Sequence, residues 1–168
     1  WMSRMRLNQA TDHVKRSVEN TRKMSLTNQK RYCIQFTADP AYSNGQDDTY
    51  LISLDIREED TNNSGTWTTI TQPAELAGWT SDQTNALHKG ISLETGATST
   101  TFTATNGCNG MLYNRFGYLG NPVADFGNAC GGGNCAILTI RNKDAAMVEQ
   151  RTLWIDQGGN VRTTQGPT

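Results

Sequence analysis

Within its 168 residues the chain shows no signal-peptide pattern and no apolar run long enough to span a bilayer. It also lacks the continuous apolar stretches that parallel strands of an α/β enzyme require. Histidine is scarce: His13 and His88 are the only two. That leaves little for an imidazole metal site or for a nucleophile activated by a neighbouring base. With 35% hydrophobic residues the core is thin, and one domain of this length suits it. Glycine and threonine are frequent, which fits a sheet-based domain with long surface loops.

Proline and glycine are absent from Trp1 to Arg31, and the pattern there predicts one helix over residues 3–29. Leu7, Ala10, Val14, Val18, Thr21 and Ser25 recur at spacings of three and four, a narrow stripe containing small residues. Leu7, Val14, Val18 and Leu26 are expected to pack on a sheet, while Lys15, Arg16, Glu19 and Lys23 fall elsewhere on the cylinder. The net charge of −1 hides a split. Residues 1–31 hold eight basic and two acidic side chains; taken from totals of 15 and 16, this leaves seven basic and fourteen acidic residues beyond. Such asymmetry marks either a solvated helix face or an electrostatic interface.

From Lys30 the period changes to two. Tyr32, Ile34 and Phe36 alternate with polar neighbours, as do Tyr50, Ile52, Leu54 and Ile56 after a break at Asp39-Pro40 and Ser43-Asn44-Gly45. Residues 58–65 read as a polar turn, Trp67 to Ile70 as a short strand, and 71–89 as loop. Further strands are expected at Ile91–Leu93, Thr100–Thr105, Met111–Asn114, Ala136–Arg141, Met147–Asp156 and from Val161. Residues 117–134, rich in Gly and Asn, read as an irregular loop. One helix followed by turn-linked strands is an α+β pattern with antiparallel sheet. Residues 1–29 form the helix and 30–168 a β-rich head, together one domain.

Cys33, Cys108, Cys130 and Cys135 make an even set, which favours two disulfides in an oxidising compartment. Zinc is the rival, but the spacing is not that of Cys-x-x-Cys and no histidine lies close in sequence. The Gly-rich spacer favours Cys130–Cys135, with Cys33–Cys108 as the complement. Four cysteines allow three pairings, and all three remain open here. Catalytic candidates are thin. The paired acids Asp47-Asp48 and Glu58-Glu59-Asp60 lie in expected turns, where acids solvate the chain. Ser43 to Asp48 lacks calcium-loop spacing. Gly131-Gly132-Gly133 is not followed by Lys-Ser/Thr and is no phosphate cradle. No cofactor, metal or catalytic residue is expected.

Three segments together resemble one family, the GspH/FimT-type pseudopilins of type II secretion and type IV pilus systems. The first runs from Val18 through Arg22 to Leu26 and on to Lys30-Arg31-Tyr32-Cys33-Ile34-Gln35-Phe36; Thr21 and Ser25 stand where the family usually has Ala. The second is Leu112-Tyr113-Asn114-Arg115-Phe116-Gly117, similar to an apolar-x-Asn-x-x-Gly turn. The third is Ala136 to Ile140 with Arg151 to Asp156, closing on Gly159-Asn160-Val161-Arg162. Residues 38–90 carry no part of the likeness.

The resemblance implies a pilin-like fold, a long N-terminal helix on antiparallel sheet, and a structural role. In that reading the chain is a minor pilin of the FimU/FimT kind, active in initiation or tip assembly of a type IV pilus; the type II secretion pseudopilin H is the alternative. Its partners are other minor and major pilins or pseudopilins. The family's apolar half-helix, processed by prepilin peptidase, anchors the precursor in the inner membrane with a periplasmic head, before assembly into a surface pilus or periplasmic pseudopilus. About twenty apolar residues are therefore expected upstream of Trp1. A further reading is a pilus-tip module for adhesion or DNA, with Arg141, Arg151 and Arg162 as phosphate contacts and a steep salt dependence.

Overall fold

The computed structural model describes residues 2–39, 51–61, 64–70, 91–95, 107–108, 111–120, 135–142 and 149–165. With no proline or glycine to interrupt it, helix α1 runs unbroken over Met2–Asn28. Gln29 ends it in the left-handed conformation at φ 52°, the usual exit of a helix into extended chain. Eight strands follow: β1 Tyr32–Asp39, β2 Leu51–Glu59, β3 Trp67–Thr69, β4 Ile91–Thr95, β5 Met111–Tyr113, β6 Cys135–Asn142, β7 Glu149–Asp156 and β8 Val161–Gln165. They form two antiparallel sheets, ordered β3-β2-β1-β5 and β4-β6-β7-β8. The class is α+β.

Both sheets share one core with the helix. Leu7, Ala10, Val14 and Val18 meet Tyr32, Ile34, Ile56, Met111 and Tyr113 of the first sheet and Leu138, Ile140, Leu153 and Ile155 of the second. The small residues of the stripe let the helix lie close. Their hydroxyls stay satisfied because each donates to its own helix: Thr11 to the Leu7 carbonyl (2.7 Å), Ser17 to His13 (2.9 Å), Thr21 to Ser17 (2.7 Å) and Ser25 to Arg22 (2.6 Å). Leu26, expected on the packing face, is 44% exposed. At about 100° per residue it stands about 80° round the cylinder from Val18, and Ser25 takes the inward place.

Strand β1 departs from simple alternation, for Tyr32, Cys33 and Ile34 are all buried. It is a central strand with both faces covered. Cys33 lies in a second, smaller cluster with Cys108, Leu112 and Trp67 on the side away from the helix. Cys33 and Cys108 are bridged, with Cα atoms 5.8 Å apart. Cys130 lies outside the described residues, as do the strand expected at 100–105, the loop expected at 71–89, Ser43 to Asp48, Gly131 to Gly133 and His88.

Candidate interaction site at the junction of the helix and two turns

Two tight turns are built by side chains that accept from the backbone. After β5, Asn114 Oδ1 accepts from the amides of Phe116 (2.9 Å) and Tyr118 (3.0 Å). The Gly117 amide closes on the Asn114 carbonyl at 3.0 Å, with Gly117 at φ 74°. After β7, Asp156 Oδ1 accepts from the Asn160 amide (2.9 Å), and the Gly159 amide reaches the Asp156 carbonyl at 2.9 Å. Leu119 N donates to Gln157 O at 3.0 Å and so docks one turn on the other.

Arg22 joins both turns to the helix. Its Nε donates to the Gly117 carbonyl at 3.0 Å and its Nη2 to the Gly158 carbonyl at 3.3 Å. The Tyr113 hydroxyl donates to the Gly159 carbonyl at 3.2 Å. Burial raises the Tyr113 phenol well above its usual pKa, so it serves as a neutral donor. Gly159 sits at φ 86°, and a β-carbon there would lie 2.1 Å from Gly117 O and 2.8 Å from Arg22 Nε. Only a glycine permits this approach.

Around this anchor the surface is shallow rather than enclosed. Glu19, Arg22, Lys23 and Asn160 line one depression; Asn114, Tyr118 and Gln157 line another. Leu26, Phe116 and Tyr118, all large apolar side chains, are exposed beside it. The Arg22 guanidinium, the Asn114 carboxamide and the Asp156 carboxylate are engaged with backbone and so orient these chain segments. Among the described residues there is no group of three or more His, Cys, Asp and Glu placed to hold a metal.

The acids at the end of β2 behave otherwise than expected. Strand β2 continues through Glu59, which is 1% exposed, and only Asp60 is exposed as a turn residue would be. The register Tyr32↔Glu58 carries Arg31 opposite Glu59, and the two form a bidentate ion pair with Arg31 Nε 3.0 Å from Oε1. Glu59 also accepts from Gly65 N at 3.3 Å, and Arg31 lies 5.8 Å from the Trp67 ring centroid. One residue on, Glu58 accepts from the Tyr32 hydroxyl and from Lys30 Nζ (2.9 Å). Those bonds hold the Glu58 carboxyl below its ordinary pKa. Burial, then the Glu58 bond, pushes Tyr32 up to about 12. The signal was legible as basic Lys30-Arg31 before one strand and acidic Glu58-Glu59 at the end of the next.

His13 sits half-buried on the helix, its pKa lowered by burial and then by Arg16. The three arginines expected to contact DNA do not share a face. Arg151 is 8% exposed and, two residues from Leu153 on the same strand, points to the helix side. Arg141 and Arg162 oppose Gln150 and Trp154, so they lie on the other face. Period two along β7 separates them: odd positions face in and even positions face out. Arg151 lies 3.9 Å from Glu149, which also holds Arg4 at 2.7 Å, and this links the start of the helix to β7.

No family model, characterised protein or solved structure matches the chain. No described helix is long and apolar enough to cross a membrane.

Proposed function

We propose that this chain is a structural subunit with a pilin-like fold, a minor pilin acting in the initiation or tip assembly of a type IV pilus. One observation carries the reading. The three segments on which the sequence resemblance rests are far apart in the chain, yet they meet at one point: Arg22 from the helix, the Asn114–Gly117 turn and the Gly158-Gly159 turn. A shared junction gives those otherwise weak motifs a common purpose, the fixing of the helix against the head. A helix anchored at its end by Arg22 and at its start by the Arg4–Glu149 pair suits a subunit whose helix is a rigid spine. In this reading the domain turns nothing over. It binds other pilins, and an apolar segment upstream holds it in the inner membrane.

Deletion of the gene tests this. Display of pili should fall sharply, and the full-length gene should restore it; His13→Ala should complement as well as wild type. Loss of protein secretion with pili intact would reassign the chain to a type II secretion pseudopilus. A deletion that changes neither would sink the filament reading. Direct DNA contact is the weaker reading, since burial of Arg151 leaves only Arg141 and Arg162 on one face.

A further inference from the structure

The depression lined by Asn114, Tyr118, Leu119, Gln157 and Gly158 has a volume of about 350 Å³, at the small end of the range for ligand sites. It is preformed. Asn114 Oδ1 is held by the amides of Phe116 and Tyr118, and the Leu119 amide donates to Gln157 O at 3.0 Å, which locks together the two turns that make its walls. Leu119, only 3% exposed, gives it an apolar lining, and Tyr118 stands 52% exposed beside it. No described residue hydrogen-bonds to three polar groups on these walls: Asn114 Nδ2, the Tyr118 hydroxyl and the Gln157 carboxamide. None of the five lining residues is charged. The charges nearby are engaged: Asp156 accepts from Asn160, Arg22 donates to the Gly117 and Gly158 carbonyls, and the Arg115 guanidinium lies 5.0 Å from the Phe116 ring centroid. A charged ligand would meet no counter-ion there. An apolar one would strip water from three polar groups and return no hydrogen bond.

We propose that this depression binds a neutral sugar ring of a glycan. A pyranose carries hydroxyls that both donate and accept, together with faces of C–H groups. Asn114 Nδ2 offers two donors, the Gln157 carboxamide offers donors and an acceptor, and the Tyr118 hydroxyl can do either. The Tyr118 ring adds an apolar body beside its own polar tip, which is the combination a sugar's C–H face and its rim of hydroxyls require. The depression is shallow, so a ring within a longer chain can lie in it without threading. Few contacts form, and a single sugar ring therefore binds in the millimolar range. The inference goes beyond the filament reading and stands without it.

Titration of the chain with the methyl glycosides of glucose, galactose and mannose and with N-acetylglucosamine, followed in proton–nitrogen correlation spectra, tests it. At least one probe should shift the amides of residues 114–119 and 157–158 saturably in the millimolar range. Tyr118→Ala and Gln157→Ala should each weaken that binding by about fivefold or more. Asn114→Asp keeps the acceptor that the turn needs but removes the free donors, and should weaken it too. Lys23→Ala, in the neighbouring charged depression, should leave the affinity unchanged. Tyr118 and Gln157 are exposed, so their variants should keep the wild-type unfolding midpoint, which circular dichroism checks; were one to unfold, the other still decides. No shift from any of the probes, shifts confined to other parts of the domain, or affinity untouched by both alanine variants overturns the proposal. Loss of pili in a Tyr118→Ala strain, with no probe bound by the wild-type chain, would assign this face to a protein contact and overturn it as well. The filament reading is scored separately: a gene deletion without effect on pili, with glycoside binding intact, defeats only that reading.

Discussion

Arg22 Nε donates to the carbonyl of Gly117 across 3.0 Å, although the two residues stand 95 positions apart in sequence. The same guanidinium reaches Gly158, so one planar fork holds two turns at once. Arg22→Ala should lower stability by about 1–3 kcal/mol in urea unfolding, the cost of half-buried carbonyls left without a donor. Arg22→Lys should recover little of it, because a point charge does not reproduce the fork. Gly159→Ala should cost more than about 1 kcal/mol, since φ 86° and the 2.1 Å approach to Gly117 O both exclude a β-carbon. Wild-type midpoints for these variants would show that the junction does not hold the head.

Val18 and Leu26 offer a paired test of the helix face. Val18 is fully buried, so Val18→Asp should cost several kcal/mol by burying an unpaired charge. Leu26 is 44% exposed, and Leu26→Asp should change stability by under about 1 kcal/mol. Chemical denaturation of both variants decides; equal losses would mean the helix is rotated from the position described here.

The Cys33–Cys108 bridge closes a separation of 75 residues and lies wholly buried. Replacing both cysteines by serine should cost about 2–5 kcal/mol. Mass spectrometry of unreduced peptides should recover Cys33 linked to Cys108, and Cys130 linked to Cys135. A peptide joining Cys108 to Cys130 would contradict both.

Tyr32 and Tyr113 should resist alkali. Tyr32 is pushed up to about 12, and Tyr113 is also raised by burial. A raised pKa in the folded state gives stability that is complete below the ordinary phenol value and lost as pH rises through the folded one. Stability should therefore decline as pH climbs from about 10 towards about 12. Spectrophotometric titration near 295 nm should show Tyr32 and Tyr113 ionising late, and Tyr32→Phe should remove one of the late steps. Ionisation of Tyr32 and Tyr113 near the ordinary phenol value of about 10 would refute this.

The sequence by itself determined what depends on neighbours along the chain. The missing proline and glycine made one long helix, spacings of three and four set Leu7, Val14 and Val18 on its inner face, and Asn114 with Gly117 marked a turn. Alternation along Tyr32, Ile34 and Phe36 and along Ile52, Leu54 and Ile56 made strands, because a period of two is local. What lies against each face is not local. Only docking of the two turns on the helix gave Arg22 its carbonyls. Only the register of β1 on β2 set Arg31 opposite Glu59 and turned an expected surface acid into a buried ion pair. Only the face that β7 turns to the helix took Arg151 away from Arg141 and Arg162. Each of these was decided by contacts between segments far apart in sequence, whose geometry follows from how helix and sheets pack and not from the order of residues within any one of them.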